Sequence, residues 1–76
     1  MALTVSRLDD LGMGNFGENL RAARIERELT QEQVADLSGV QAGEISRIET
    51  GKRDPQVSTL LKIARALKVS PGKLID

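Results

Sequence analysis

The segment over residues 33–52, QVADLSGVQAGEISRIETGK, most constrains the fold that this chain can adopt. Two short stretches with helical apolar periodicity flank Gly39. Glycine accepts the left-handed backbone conformation that a tight turn between two helices needs. The segment therefore predicts helices over about Gln31–Ser38 and about Ala42–Thr50, joined by a sharp turn.

The start of the first of these helices carries its own signal. Thr30 and Gln33 have the spacing of a capping box, in which each side chain bonds a backbone N–H that the helix leaves without a partner. Apolar residues at helical spacing predict a further helix from Phe16 to about Glu28 and another over about Ser58–Lys68. A serine followed by proline, Ser70-Pro71, predicts one last helical turn.

The fold class that these patterns predict is all-α, a compact domain of five short helices over residues 15–76. Residues 1–14 show only a weak apolar pattern, so we expect a flexible tail or arm there. Three alternatives stay open: a frayed end, an arm that packs on a second subunit, and an arm that enters the minor groove. The positions predicted to face inward share helical spacing, except Val40, which is expected to be buried in the turn after Gly39. They are Phe16, Leu20, Ala23, Val34, Ala35, Leu37, Val40, Ile45, Ile48, Leu60, Leu61, Ile63, Ala64 and Leu67.

Composition removes several classes of function. The chain has no cysteine, which excludes disulfides and thiolate metal sites, and no histidine, the commonest metal ligand and general base. Its apolar runs fall short of the ~20 residues that a membrane span needs, and its N-terminus lacks the pattern of a signal peptide. We therefore expect a soluble, cytoplasmic protein that is not an enzyme, holds no metal or cofactor and needs no small-molecule ligand.

The balance of charge argues against a protein held on DNA by bulk positive charge. The chain has 11 basic and 11 acidic residues and a net charge of zero. Residues 30–50 carry one basic residue against four acidic ones, whereas residues 51–76 carry six basic residues against two acidic ones. A nucleic-acid surface would therefore draw on Lys52, Arg53, the C-terminal third and uncharged donors.

The predicted third helix is built to present one face to a partner. Ile45 and Ile48 anchor it on the core, so its opposite face is pushed into solvent, a shape suited to a major groove about 12 Å wide. Several motifs occur in register: LRAAR, LTQEQVA, SGV, ISRIETGKRDP and LLKIARAL. On these motifs the chain resembles the Cro/repressor-type (XRE-like) helix-turn-helix family over about Phe16–Ile75. The resemblance implies a lambda-repressor-like fold and operator binding by a homodimer that regulates transcription.

The resemblance also implies roles for particular residues. Gln31 matches a phosphate-contacting glutamine, and Arg47 matches a base-reading or phosphate-contacting position. Arg24 and Glu49 match a buried ion pair between the first and third helices. Together with Arg53, which the basic loop adds, the expected DNA-contacting set is Gln31, Gln41, Ala42, Gly43, Glu44, Arg47, Thr50, Lys52 and Arg53.

The first turn of the recognition helix departs from the family pattern. Ala42 stands where a long polar or basic reader is common, and alanine can only touch a thymine methyl group. Gly43 adds no readout, although it lets the backbone approach DNA closely. Glu44 repels phosphate. It can accept a hydrogen bond from a cytosine amino group, or it can pair with Arg47 three residues on. We therefore expect direct readout from Gln41 and Arg47, with DNA shape supplying much of the specificity.

Two functions remain open on these grounds. The first is a transcriptional regulator whose homodimer reads half-sites about 34 Å apart on a palindromic double-stranded DNA operator. The alternative is a protein-interaction module, such as an antitoxin, an adaptor or an anti-repressor, that keeps the fold with little DNA readout. The candidate dimer surface consists of apolar residues that exceed what one small core can hide. They are Ile63, Leu67, Val69, Leu74 and Ile75.

Overall fold

The computed structural model describes residues 16–75, and this range contains five α-helices and no strand. The all-α prediction is confirmed there, and every helix end lies within two residues of the position that the sequence predicts. The expected tail or arm over residues 1–14 lies outside the described residues. The helices are α1 (Phe16–Glu26), α2 (Gln31–Ser38), α3 (Ala42–Glu49), α4 (Val57–Leu67) and α5 (Pro71–Ile75).

Hydrogen bonds define both ends of α2 and the turn that joins it to α3. The capping box is present: Thr30 Oγ1 accepts from the Gln33 N–H at 3.0 Å, and the Thr30 N–H donates to Gln33 Oε1 at 2.8 Å. At the other end Gly39 takes the left-handed conformation with φ 80° and donates to the Ala35 carbonyl. The Val40 N–H then donates to the Ser38 hydroxyl oxygen, which completes the turn.

Three helices end in the same backbone arrangement. In each, one residue adopts a left-handed conformation, and the residue after it donates to the carbonyl five positions back, as Lys52 does to Arg47. The left-handed residue is Gly51 at the end of α3, but it is Glu28 (φ 57°) after α1 and Lys68 (φ 58°) after α4. Glu28 and Lys68 thus adopt a backbone conformation that glycine adopts without the steric penalty of a Cβ atom.

All five helices contribute to one apolar core. Helix α2 packs against α3 and α4, α1 packs against α3 and α5, and α4 also contacts α5. Full burial of each large side chain contributes roughly 1.5–3 kcal/mol. The buried apolar residues are Phe16, Leu20, Val34, Ile45, Ile48, Leu60, Ile63, Ala64, Leu67 and Leu74.

Two residues predicted to face inward are exposed. The exposed fraction is 60% for Leu37 and 44% for Leu61. Helix α2 is only eight residues long, and Val34 is its one fully buried side chain, so Leu37 lies beyond the edge of its buried stripe. On α4, Leu60 and Ile63 face the core and turn the adjacent Leu61 towards solvent.

The candidate dimer surface is largely wrong for the same reason. Ile63, Leu67 and Leu74 are each no more than 1% exposed, because α4 packs against α2 and α5, and α5 also packs against α1. Val69 and Ile75 are half-buried and pack against the core. One small core therefore hides three of these residues completely, contrary to the premise of the prediction.

Helix α1 is fastened to the rest of the domain by contacts other than apolar packing. It crosses α3 at Gly17, where a Cβ atom would clash with the backbone carbonyl oxygen of Ile48. The Asn19 side chain donates to the Leu74 carbonyl at 2.9 Å, and Arg27 Nε donates to the Leu67 carbonyl at 2.7 Å. These bonds satisfy carbonyls at the C-terminal ends of α4 and α5.

Within residues 16–75, no helix combines the length and the apolar character that crossing a membrane requires.

Candidate nucleic-acid interface

Helix α3 is embedded along one side and open along the other. Ile45 and Ile48 are buried, whereas Gly43 and Arg47 are exposed. Gln41 precedes the helix in an extended conformation, and its side chain makes no capping bond. The α3 surface therefore carries a glutamine ahead of its first turn and an arginine in its last.

The C-terminal end of α3 is tied to α1 by a bidentate ion pair. Arg24 Nε lies 2.7 Å from Glu49 Oε2, and Arg24 Nη2 lies 3.0 Å from Glu49 Oε1. The side chains are only 13% and 2% exposed. Arg24 Nη1 also donates to the Leu29 carbonyl at 2.8 Å. The contact that the family resemblance implied is thus present, and it fixes the tilt of α3 relative to α1.

The pair raises the pKa of Arg24 above its ordinary value, chiefly through its hydrogen bonds to Glu49 and further through the charge of that carboxylate, against the opposing effect of burial. The arginine contribution to stability is therefore fully present below the ordinary pKa of an arginine. It is lost only as the pH rises through the raised value.

Gln31 joins this network from the start of α2. Its Nε2 donates to Glu49 Oε1 at 3.1 Å, and the residue is half-buried. This bond uses one of the two amide hydrogens and leaves the other available as a donor. Among residues 16–75, every buried side-chain nitrogen and oxygen has a hydrogen-bond partner, the Glu49 carboxylate included.

A second cluster lies on the solvent side of α3. Glu44 Oε1 is 3.6 Å from Arg47 Nη1, the pairing that their spacing predicted, and 3.2 Å from Arg53 Nε. Both arginine side chains are more than half exposed, whereas Glu44 is 26% exposed. One carboxylate therefore bridges two of the expected DNA-contacting arginines.

Gly43 lies beneath the end of the Arg47 side chain. A Cβ atom added at Gly43 would lie 3.8 Å from Arg47 Nη1 and 4.0 Å from Arg47 Nη2. Arg47 thus reaches back one turn towards the start of α3 and covers the surface over Gly43. Because Ala42 and Gly43 are short, the guanidinium of Arg47 can occupy this part of the helix surface.

The remaining expected contacts lie at the two ends of α3. The Thr50 hydroxyl is within hydrogen-bond distance of the Ser46 and Arg47 carbonyls, at 3.0 and 3.2 Å, so it must rotate before it can donate to a phosphate. Lys52 is exposed in the loop after α3, while Ala42 is half-buried at the start of the helix. The nine residues thus fall into a cluster around Glu44, a network around Glu49 and flanking positions.

Two contacts of this surface have no signature in the sequence. Arg53 meets Glu44 across the turn after α3, and Gln31 meets Glu49 from another helix. Neither pair has the i,i+3 or i,i+4 spacing by which side chains on one helix are matched. Only the folded turn and the crossing of α2 and α3 bring these side chains together.

Comparison with known proteins places this geometry in a family. The profile of the helix-turn-helix family matches residues 20–74. The chain belongs to the Cro/repressor-type (XRE-like) helix-turn-helix family. It is 57% identical to the HTH-type transcriptional repressor RghR of Bacillus subtilis over 58 residues, which cover 75% of this chain and 43% of the repressor. The chain thus spans less than half the length of that relative.

Restriction-modification control proteins are also similar to this chain. It is 40% identical to the control protein C.SmaI of Serratia marcescens over 60 residues, which cover 79% of this chain and 71% of that protein. The crystal structure of the controller protein C.AhdI from Aeromonas hydrophila superposes with a TM-score of 0.78 at 34% identity. That match covers 84% of this chain and 97% of the controller.

Proposed function

We propose that this protein is a sequence-specific, double-stranded DNA-binding transcription regulator that inserts α3 into the major groove. Arg47 carries the proposal, because it is exposed on a helix whose opposite face is locked to the core. A helix held in this way can lie in the major groove and present its exposed side chains to base edges. We propose that the protein acts in the cytoplasm, where the DNA of a prokaryote or of its phage lies.

Direct readout falls to Gln41 and Arg47. The guanidinium donates to guanine O6 and N7, the commonest specific contact in protein–DNA complexes. Gln41 makes no capping bond, which leaves its amide for a base or a phosphate. Ala42 and Gly43 add little bulk at the start of α3 and let its backbone approach the groove. Glu44 faces the same side of the helix, next to the two arginines.

Affinity comes from donors that surround α3. Lys52 and Arg53 supply positive charge from the loop, and Gln31 and Thr50 supply neutral donors. Backbone N–H groups at the N-termini of α2 and α3 bind phosphate without adding formal charge. A protein with no net charge thereby holds an anionic duplex at moderate salt.

The regulator acts as a homodimer on a palindromic operator, with one recognition helix for each half-site. Large apolar side chains that remain exposed in the described part of the chain supply the surface for a second copy. Val57 and Leu61 lie one turn apart on α4 and are 66% and 44% exposed. For this surface, Leu61→Lys is expected to sediment as a folded monomer, with a thermal midpoint that no longer depends on protein concentration.

A protein-interaction module is the second candidate. The observation that favours it is the bridge from Glu44, because a carboxylate between two arginines weakens their attraction to phosphate. Such a module would bind a protein partner through α3 and would show no preference among duplexes.

Selection of bound sequences from a random duplex pool separates the two candidates. The regulator enriches a palindrome, and Arg47→Ala loses a guanine preference within each half-site. Glu18→Ala, on the exposed first turn of α1, serves as the control and retains the same site. Binding without any enriched sequence, which disappears as salt is raised, would remove the regulator and leave the interaction module.

A further inference from the structure

The carboxylate of Glu44 bridges the two arginines that lie on the DNA-facing side of α3. It is 3.2 Å from Arg53 Nε and 3.6 Å from Arg47 Nη1, and the three groups together carry one net positive charge. Glu44 is more buried than either arginine, at 26% exposed against 55–56%. The acid is therefore the more enclosed centre of the cluster, and the arginines are its exposed outer members.

A phosphate and a base pair meet this cluster differently. A phosphate that approaches either arginine also approaches the carboxylate, and like charges at such a distance oppose binding. A guanine edge is uncharged and accepts from an arginine, while a cytosine amino group donates to a carboxylate. The same bridge therefore penalises contact with the DNA backbone and spares contact with a guanine–cytosine pair.

We propose that Glu44 determines specificity by suppressing non-specific binding of Arg47 and Arg53 to phosphate. This inference rests on the proposed function and gives the acidic residue in the recognition helix a task within it. Non-specific DNA binding is almost entirely a matter of phosphate neutralisation and counterion release. Restraining two arginines with one carboxylate lowers that background while leaving the arginine donors available to a base edge.

The test measures the affinity of Glu44→Gln for two duplexes, the site that the wild-type protein selects and a scrambled sequence of equal length. Glutamine keeps the size of the side chain and removes its charge. Affinity for the scrambled duplex is expected to rise about tenfold, and the slope of its logarithm against log salt to steepen by about 1. Affinity for the selected site should change by less than about threefold. Glu44→Ala should show the same trend.

Two controls separate the bridge from a general change in charge. Glu18→Gln removes one negative charge from the exposed first turn of α1 and should leave the ratio of the two affinities unchanged. In the Arg47→Gln/Arg53→Gln background, Glu44→Gln should no longer raise affinity for the scrambled duplex. Thermal melts of each variant establish that it is folded before its binding is compared.

The outcomes distinguish failure of the role proposed for Glu44 from failure of the proposed function itself. An unchanged affinity ratio in Glu44→Gln, with a wild-type site still selected, overturns the role of Glu44 and leaves the regulator intact. An equal gain in Glu18→Gln, or a gain that persists without the two arginines, also overturns it. A wild-type protein that selects no site removes the proposed function and this inference with it.

Discussion

Arg24 and Glu49 form a two-bond ion pair that holds the C-terminal end of α3 against α1, with N···O distances of 2.7 and 3.0 Å. Gln31 adds a third bond to the same carboxylate from α2. Three helices are thus joined at one nearly inaccessible acid, directly behind the surface proposed to read DNA. The orientation of that surface depends on this contact as well as on apolar packing.

Breaking the pair is expected to be costly. Arg24→Ala leaves the Glu49 carboxylate buried without its main partner and should lower the free energy of unfolding by about 3–5 kcal/mol. Urea denaturation followed by circular dichroism measures the change. The double variant Arg24→Met/Glu49→Leu should recover most of the loss, because apolar replacement removes both desolvated charges together. A double variant as unstable as the single one would contradict this account of the pair.

The crossing of α1 and α3 requires glycine at residue 17. In Gly17→Ala the new methyl group meets the Ile48 carbonyl oxygen, so one helix must shift, at a cost of about 1–3 kcal/mol. Gly72→Ala is the matched control, since residue 72 is also helical and a Cβ there has no neighbour within 4 Å. The control should be neutral or gain up to about 1 kcal/mol from helix propensity. Equal thermal midpoints for both variants would exclude the close crossing.

Relief of backbone strain at Lys68 is expected to stabilise the protein, in contrast to Arg24→Ala and Gly17→Ala. Lys68 adopts a left-handed conformation, φ 58°, which costs a non-glycine residue about 1–2 kcal/mol. Glycine would relieve this strain, but its greater freedom in the unfolded chain offsets part of the gain. Lys68→Gly should therefore raise the free energy of unfolding by about 0.5–1 kcal/mol. Gly51→Ala, in the same motif after α3, should lower it by about 1 kcal/mol. The account fails at this point if chemical denaturation gives the two changes the same sign.

The salt dependence of DNA affinity distinguishes phosphate contacts made by neutral donors from those made by charged donors. Gln31→Ala should weaken binding to the selected site and to a scrambled duplex by the same factor, without changing the salt dependence, because an amide displaces no counterion. Lys52→Ala should also weaken both complexes and should reduce the slope of log affinity against log salt by about 1. Fluorescence anisotropy titrations at four salt concentrations measure both quantities. A reduced slope in Gln31→Ala would contradict its assignment as a neutral donor.

Local chemistry explains which parts of the fold the sequence predicts well. The sequence predicts helix α2 with its observed bounds, because the Thr30–Gln33 box marks its start and Gly39 marks its end. For α1, α3 and α4 the signal is weaker at one or both ends, and one or both of their predicted limits differ from the observed ones by one or two residues. Capping and turn residues act over a few positions, so one stretch of sequence is sufficient to reveal them.

Burial at the margins of a helix depends on what packs against it. Leu37 and Leu61 have suitable periodicity but lie outside the contacts of α2 and α4, whereas Leu74 is sealed by helices distant in the chain. The same limit applies to the site. The sequence indicates that Glu44 and Arg47 pair, but the bond from Glu44 to Arg53 exists only once the turn after α3 has formed.

Replacement of a single guanine atom tests most directly the proposal that Arg47 reads a base in the major groove. 7-Deazaguanine, placed at the preferred guanine of the selected site, removes the N7 acceptor and retains base pairing. The wild-type protein should lose about tenfold in affinity, within the ~1–3 kcal/mol of a bidentate arginine contact. Arg47→Ala should bind both duplexes equally. A loss of the same size in wild type and Arg47→Ala would show that another group makes the contact and would contradict the proposed mode of recognition.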